Sequence, residues 1–366
     1  MKITFVSPPP NLSGGMRVIA THAEYLKKRG HDVLIVCSPR RKRTLKEWLK
    51  AFLKGKKIPS FNLPSKGSHF NSIDVDCRVI DKVRPIVDSD LPDADVVIAT
   101  WWETAEWVAK LSDSKGCKSY FIQHYEVHDY LPKERVMATW TLPMRKIVVA
   151  QWLADIAKTQ YGDCDVSVVP NSIDTQQFCA SPRGRQSTPT VGMMLVKGQR
   201  GHWKGCDIAI QAFMIAKRSL PNLRLVSFGF DPWDSDIMPL NENIEYECRP
   251  SQERLKSFYS KCDAWLFSSR KEGFGLPILE SMACGTPVIG TPCGAAPDFL
   301  PEGGGTLVPM EDADAMAKAI VEVCSLPNDE WRRRSKLAFD KATSYTWTDA
   351  SILFEEALKK SIKHLA

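Results

Sequence analysis

Short apolar runs alternate with longer amphipathic stretches along most of the chain. Residues 2–8 and 30–37 predict buried strands, and the stretch between them, about 16–29, predicts a helix. Further strands are expected at 95–100, 118–123, 145–150, 189–195, 223–228, 244–251, 264–268, 286–290 and 306–308. Helical patterns separate most of these runs. That rhythm predicts an α/β protein with parallel sheets covered by helices.

Length and composition limit the class of protein. A chain of 366 residues is long for one domain and suits two, and 43% hydrophobic with 25% charged residues is typical of a globular protein. It has no apolar run of about 18 residues, and its N-terminus starts a strand rather than a signal peptide. Eleven scattered cysteines without a Cys-x-x-Cys pair favour reduced thiols, and hence a cytoplasmic protein without structural zinc.

Residues 40–57 form a basic block that contains a single acid, Glu47. Leu45, Trp48, Leu49, Phe52 and Leu53 recur inside it at helical spacing. Two interpretations stay open: a helix at the inner face of a membrane, or an apolar stripe that packs on its own domain. The block, with the net charge of +6, also suggests a non-enzymatic nucleic-acid-binding protein as an alternative of a different class.

The stretch from residue 264 to 290 is the most informative. An apolar strand is followed by a glycine-spaced turn, a short helix beginning near Pro277 and a glycine stop at Gly285. Backbone N–H groups at the start of such a helix favour a phosphate. Glu280, about one turn in, could accept hydrogen bonds from a ribose diol, and Glu272 would face the group beyond the phosphates. A solvated strand–loop–helix is the simpler alternative.

The residues Glu272-Gly-Phe-Gly-Leu-Pro-Ile-Leu-Glu280, followed by Ser-Met-Ala-Cys-Gly-Thr-Pro-Val-Ile289, resemble the motif of the retaining GT-B glycosyltransferases of family 4. The resemblance implies a GT-B fold, with two Rossmann-like domains facing across a central cleft. It implies a nucleotide-sugar donor, transfer with retention, and no cofactor or required metal. Glu272 would be catalytic, Glu280 would bind the donor, and so would the backbone of Gly273, Phe274, Gly275 and Leu276.

The resemblance also implies cationic groups for the leaving diphosphate. Lys204 matches the family lysine, whereas Met193 stands where an arginine is usual, so Arg200 is the expected substitute and Lys197 the next. Arg249 is expected beside the nucleobase. The segment 166–174 resembles the family's interdomain joint. The predicted domains are therefore residues 1–174 on the acceptor side, 175–345 on the donor side, and a C-terminal helix, 346–366, that crosses back.

In the first half, Gly14 and Gly15 resemble the loop that closes over the donor, although a tight turn with positive φ is an equal alternative. His124 ends a predicted strand where ligands bind in such sheets, and the family places a histidine there near the donor sugar. Trp102, Glu103 and Tyr125 are expected on the acceptor side, since aromatic faces and polar edges suit sugar rings. The tryptophan is equally compatible with a structural role.

The predicted function is transfer of a sugar from a nucleotide-diphosphate sugar to a glycan, lipid-linked or other hydroxyl acceptor in cell-surface polysaccharide synthesis, without nucleic-acid binding. A sugar-nucleotide epimerase of the same architecture is an alternative. An Asp-x-Asp pattern occurs at 74–76 and at 163–165, but it is short and common by chance. The sequence leaves the nucleotide, the sugar, the acceptor and the oligomeric state open.

Overall fold

The computed structural model describes residues 1–40, 67–233 and 243–363. The chain divides into two compact units. The first comprises residues 1–149, 153–169 and 350–366, and the second comprises 150–152 and 170–349. The main boundary lies between Val169 and Pro170, a few residues before the predicted one.

The first unit contains a seven-stranded sheet whose paired strands are all parallel, as the alternation of strands and helices predicts. The strands are β1 (Lys2–Ser7), β2 (Asp32–Cys37), β3 (Asp76–Val79), β4 (Val96–Ala99), β5 (Cys117–Ile122), β6 (Arg145–Val148) and β7 (Val166–Val168). They lie in the order β3-β2-β1-β4-β5-β6-β7. The direction of winding therefore reverses between β1 and β4. At such a point, loops from the carboxyl ends of neighbouring strands diverge and leave room for a ligand.

Helices follow these strands. They are α1 (Gly14–Lys28), α2 (Trp102–Val108), α3 (Lys133–Ala138) and α4 (Gln151–Tyr161). Ser13 caps α1, since its hydroxyl accepts the Met16 N–H at 3.4 Å. The core between sheet and helices is apolar, with Phe5, Ile35 and Phe121 fully buried.

The second unit repeats the design with a six-stranded parallel sheet. Its strands are β8 (Thr190–Leu195), β9 (Arg224–Gly229), β10 (Ile244–Cys248), β11 (Ala264–Phe267), β12 (Val288–Gly290) and β13 (Thr306–Leu307). Its helices are α5 (Gly198–Trp203), α6 (Cys206–Ser219), α7 (Leu255–Ser260), α8 (Leu276–Ala283), α9 (Ala296–Phe299), α10 (Ala313–Ser325) and α11 (Asn328–Thr343). The order β10-β9-β8-β11-β12-β13 places the reversal between β8 and β11.

The polar segment before β8 is anchored to the second unit. The buried Asp263 carboxylate accepts backbone N–H groups of Gln186 at 2.7 Å and Thr190 at 2.9 Å. Arg183 lies over the Trp331 ring, and its guanidinium also donates to the Thr286 hydroxyl at 2.9 Å. Burial raises the pKa of Asp263 to about 6. Proline and glycine content alone did not reveal these partners.

The last helix, α12 (Trp347–Lys363), places residues 350–363 in the first unit. Phe354 is fully buried there, with its ring centroid 6.1 Å from that of Phe5, 5.0 Å from that of Phe121 and 4.4 Å from that of His22. Among the described residues, no helix is both long and apolar enough to span a membrane.

Candidate active site

A pocket with about 300 Å³ of empty space lies at the reversal point of the second sheet. Met193 and Met194 of β8 line one side, and residues 265–267 of β11 line the other. The rest of the lining comes from the loops and helix beyond these strands: Lys204, Ser268, Ser269, Glu272 and Pro277. Open parallel sheets bind their ligands at this place, so the topology independently selects the stretch that the sequence motif indicates.

Lys204 and Glu272 are brought together in this pocket. The Lys204 ammonium group forms an ion pair with Glu272 Oε1, and the Ser269 hydroxyl donates to the same oxygen at 3.0 Å. Their side chains are 28% and 11% exposed, so the pair is partly shielded from water. A shielded cation beside a carboxylate can bind an anionic group and a hydroxyl at neighbouring positions.

Local backbone packing explains why Lys204 lies there. Gly205 has a φ of 62°, and a Cβ on it would come within 1.9 Å of the Ser268 carbonyl oxygen. Only glycine permits this approach. The Ser268 hydroxyl donates to the carbonyl oxygens of Lys204 at 2.9 Å and Gly205 at 2.8 Å. These contacts fix the Lys204 backbone against the end of β11.

The start of α8 forms the anion-binding part of the predicted site. Gly275 precedes the helix with a φ of 98°, and Pro277 occupies its first turn. Gly273, Phe274 and Gly275 are buried and Leu276 is half-buried, with the Phe274 carbonyl accepting the Ala295 N–H at 2.8 Å. The first N–H groups of a helix have no partner inside it and favour a negative charge.

Glu280 lies further along α8 and is only 4% exposed. The hydroxyl of the fully buried Tyr259, from α7, donates to Glu280 Oε2 at 2.6 Å. This hydrogen bond fixes the orientation of the carboxylate that is predicted to bind ribose. Tyr259 was missed at the sequence level, because an aromatic residue at helical spacing indicates only a core position.

The remaining donor-side residues are more dispersed. Arg200 is exposed on the short helix α5, Lys197 precedes that helix, and neither lines the pocket. Arg249 adopts a left-handed backbone with a φ of 56° after β10, and its Nε donates to the Phe230 carbonyl at 2.7 Å. Ser251 precedes a 3₁₀ turn, and its side chain makes no cap hydrogen bond. Of the three predicted diphosphate ligands Lys197, Arg200 and Lys204, only Lys204 lines the pocket.

In the first unit, Gly14 and Gly15 are not a tight turn with positive φ. They are the first two residues of α1, and a side-chain amide N–H of Gln123 donates to the Gly15 carbonyl at 3.2 Å. Gln123 directly follows β5, so it ties the end of that strand to the first turn of α1. Gly14 is exposed and Gly15 half-buried, which leaves the start of α1 open to an approaching group.

His124 is half-buried after β5, and its Nδ1 donates to the Tyr125 carbonyl at 2.9 Å. Its ring centroid lies 5.0 Å from that of His128. Close by in sequence, Glu126 is buried and accepts the Trp102 backbone N–H at 3.1 Å. Burial raises the pKa of Glu126 well above its usual value. This carboxyl fixes the start of α2, a role that its sequence position did not reveal.

The acceptor-side residues are less accessible than expected. Trp102 is 3% exposed, and the Arg135 guanidinium lies 4.9 Å from its ring centroid, so this geometry does not favour stacking on a sugar. The Tyr125 hydroxyl forms hydrogen bonds with Gln160 Oε1 and with the Tyr161 hydroxyl, at 3.0 Å each. Glu103 is half-buried, and burial raises its pKa. Glu103 thus combines partial exposure with a carboxyl group whose pKa is raised.

The basic block and the Asp-x-Asp pattern at 163–165 are two further features of the sequence. All of the basic block beyond Arg40 lies outside the described residues, and Arg40 itself donates to the Pro10 carbonyl at 2.8 Å. Asp163 and Asp165 each have a cationic partner, Lys146 at 2.5 Å and Arg145 at 2.7 Å. That Asp-x-Asp pattern is therefore part of an ion-pair cluster.

Two family models match the chain side by side. Glycosyl transferases group 1 matches residues 183–338, and Glycosyltransferase Family 4 matches residues 12–177. Together they cover most of both units. The chain belongs to the family 4, group 1 glycosyltransferases.

Curated relatives match over shorter stretches. A phosphatidylinositol N-acetylglucosaminyltransferase component of Arabidopsis thaliana is 26% identical over 55% of this chain and 46% of its own length. O-antigen chain mannosyltransferase B of Escherichia coli is 30% identical over 35% of each. The chain thus spans less than half the length of these relatives in the matched regions.

Solved structures match over the whole chain. Sucrose-phosphate synthase from Thermosynechococcus elongatus superimposes with a TM-score of 0.70 at 16% identity, over 100% of both chains. Anabaena HepE, in complex with UDP and glucose, gives 0.70 at 16% identity over 98% of this chain and 99% of its own. These likenesses confirm the predicted α/β fold class of GT-B type with two Rossmann-like parts.

Proposed function

We propose that this protein is a retaining glycosyltransferase that transfers a sugar from a nucleotide-diphosphate sugar to a hydroxyl acceptor without a required metal. The observation that supports it most directly is the Lys204–Glu272 pair beside the start of α8, in the pocket at the reversal point of the second sheet. Cation, helix start and carboxylate are the groups that a diphosphate and its sugar need.

Lys204 and the N-terminus of α8 stabilise the leaving diphosphate. As the bond between the anomeric carbon and the phosphate oxygen breaks, negative charge accumulates on the diphosphate. The partly shielded ammonium group and helix dipole stabilise that charge more in the transition state than in the ground state. This electrostatic role makes a bound cation dispensable for departure of the leaving group.

Glu280 binds the ribose, and Glu272 orients the sugar. Tyr259 holds Glu280 Oε2, so the carboxylate meets a ribose diol with its orientation already fixed. The acceptor hydroxyl then attacks on the face from which the diphosphate leaves. The new bond joins the acceptor oxygen to the anomeric carbon, and the acceptor proton passes to the departing phosphate oxygen. His124 is proposed to contact the donor sugar.

The acceptor is proposed to be a lipid-linked or growing cell-surface glycan, and the protein to work in the cytoplasm at the inner face of the membrane. The relatives support this class of acceptor, since their names specify phosphatidylinositol and O-antigen chains. The basic segment 40–57 supplies the charge that would attract an anionic membrane surface.

Calorimetric titration of UDP, GDP and ADP without metal tests the donor site. We expect one of them to bind the wild type, and Lys204→Ala and Glu280→Gln to weaken it by about tenfold or more, because each removes a charge-assisted contact. Lys261→Ala is the matched control. It breaks the exposed Lys261–Glu245 pair, outside the pocket lining, and should change the Kd by less than about twofold.

Two results would overturn the donor-site assignment. One is the absence of binding by all three nucleotides up to about 1 mM, a free energy of only about 4 kcal/mol. The other is equal binding by the wild type and Lys204→Ala. The nucleic-acid alternative would then gain weight, and a salt-dependent shift with short DNA or RNA would be its direct test. Once the donor is known, the anomeric configuration of the product, read by proton NMR, tests retention.

A further inference from the structure

Arg270 connects three segments around the pocket of the second unit. It lies two residues before Glu272 and is 13% exposed. Its guanidinium binds the Asp207 carboxylate in bidentate fashion, with Nη1 at 2.7 Å and Nη2 at 2.8 Å. It also binds Glu311, with Nη2 to Oε2 at 2.7 Å. A planar guanidinium between two carboxylates has a fixed orientation, which a lysine could not reproduce.

The same residue holds the loop that carries Lys204. Arg270 Nη1 donates to the His202 carbonyl at 2.7 Å, and its backbone N–H donates to the Trp203 carbonyl at 2.7 Å. The Ser268 hydroxyl binds the carbonyls of the two residues that follow Trp203, which are Lys204 and Gly205. Consecutive backbone carbonyls on both sides of Lys204 are therefore bound to the segment that leads to Glu272.

We propose that Arg270 is a positioning residue that holds the 202–205 loop against the 268–272 segment and so keeps Lys204 where it can bind a diphosphate. The statement that Lys204 binds a diphosphate rests on the proposed function. The statement that Arg270 restrains the 202–205 loop does not depend on that function. Asp207 lies in the first turn of α6 and Glu311 precedes α10, so the two carboxylates fix Arg270 from two separate parts of the chain. Arg270 itself acts through Lys204 and not on the ligand.

A double-mutant cycle tests this role. The Kd of the nucleoside diphosphate that binds best among UDP, GDP and ADP is measured for the wild type, Arg270→Ala, Lys204→Ala and the double variant. We expect Arg270→Ala to weaken binding by about tenfold in the wild type but by less than about twofold in the Lys204→Ala background. Arg270→Lys, which can satisfy one carboxylate, should fall between wild type and Arg270→Ala.

Hydrogen–deuterium exchange of peptides covering residues 198–206, without nucleotide, measures the restraint directly. Arg270→Ala should speed exchange there. Arg334→Ala is the matched control: Arg334 is 20% exposed and pairs with Glu322 at 2.9 Å. It should leave exchange of this loop and nucleotide affinity unchanged.

These measurements test the positioning role of Arg270 separately from the proposed function of the donor site. A loss from Arg270→Ala that adds fully to that of Lys204→Ala would overturn the positioning role, because Arg270 would then act independently of Lys204. If no nucleotide binds any variant, the proposed function fails, and the exchange data alone decide the restraint. Unchanged exchange in Arg270→Ala would overturn it.

Discussion

Lys204 has two anionic partners in the proposed reaction. In this structure its ammonium group pairs with Glu272, which also accepts from Ser269. During transfer it would face the diphosphate. Because Glu272 already neutralises part of the charge on this ammonium group and itself repels another anion, Glu272 and the diphosphate compete for Lys204.

Glu272→Gln should therefore separate nucleotide binding from catalysis. Removing the negative charge leaves Lys204 to the diphosphate, so we expect the nucleoside diphosphate to bind about threefold to tenfold more tightly, a gain typical of a charge-assisted contact. Transfer from the nucleotide sugar should fall, because the sugar loses its orienting carboxylate. Titration calorimetry with the nucleoside diphosphate and a transfer assay with the nucleotide sugar measure the two effects.

Glu280→Gln is the comparison variant, since it should weaken both nucleotide and nucleotide sugar. Weaker nucleoside diphosphate binding by Glu272→Gln would contradict the competition between Glu272 and the diphosphate. The sequence singles out both glutamates and Lys204 because their residue type, spacing and glycine neighbours have a direct chemical use, and their roles stay predictions. It does not single out Tyr259 and Arg270, because their roles depend on partners that lie far away in sequence.

At the scale of elements, His22 of α1 joins α12 to the first sheet. It is fully buried, with its ring stacked on Phe354 at 4.4 Å and edge-on to Phe121 at 5.5 Å. Burial lowers the pKa of His22 from 6.5 to about 3. Near neutral pH the folded chain therefore holds an uncharged imidazole between two aromatic rings.

His22 should make the first unit less stable as the pH falls below about 6.5, whereas Glu126, whose pKa burial raises, contributes in the opposite direction. Unfolded His22 takes up a proton near pH 6.5, whereas folded His22 does so only near pH 3. The unfolded state therefore binds more protons between these values, and the free energy of unfolding should drop by about 2 kcal/mol from pH 7 to pH 5 on account of this group. Urea unfolding at a series of pH values measures the slope.

His22→Leu should remove this contribution of about 2 kcal/mol from the wild-type slope, because it replaces the titrating ring with an apolar side chain. His202→Leu, which alters an exposed histidine of the second unit, should keep the wild-type slope. An unchanged slope in His22→Leu would show that His22 does not control this transition. Glu355 does not contribute to the change in stability between pH 7 and pH 5. Burial alone raises its pKa, but hydrogen bonds from Lys359 and Arg29 lower the pKa to about 2. Glu355 therefore affects the free energy of unfolding only below about pH 4.5.

The elements themselves were largely predictable. Strands such as β1, β4 and β11 are apolar runs buried within parallel sheets, where hydrophobicity alone identifies a strand. The edge strand β3 was missed because all four of its residues are exposed, which leaves no apolar run. The anchoring of the 183–190 segment was missed for a related reason, since its partners Asp263 and Trp331 are distant along the chain.

At the scale of the whole molecule, the two units differ in how the chain builds them. Most of the second unit is one continuous segment, 170–349, and it contains the pocket lined by Lys204 and Glu272 as well as Glu280 of α8. The first unit needs residues 350–366, which return from the far end of the chain. Phe354 and Leu358 are fully buried, so this return contributes to the core of the first unit.

Deleting residues 350–366 should therefore damage the two units unequally. The deletion exposes the core around Phe5 and Phe121, and losing one large buried aromatic side chain alone costs about 3–5 kcal/mol, a large part of a typical domain's stability. Calorimetric scanning should show a transition lost or shifted to lower temperature, with a second transition retained. The nucleoside diphosphate should still bind with a Kd within about threefold of the full chain, because its proposed ligands all lie in the second unit.

Phe354→Ala is the milder variant and should shift the same transition only. Loss of nucleotide binding in both variants, with the retained transition intact, would mean that the first unit contributes directly to holding the nucleotide.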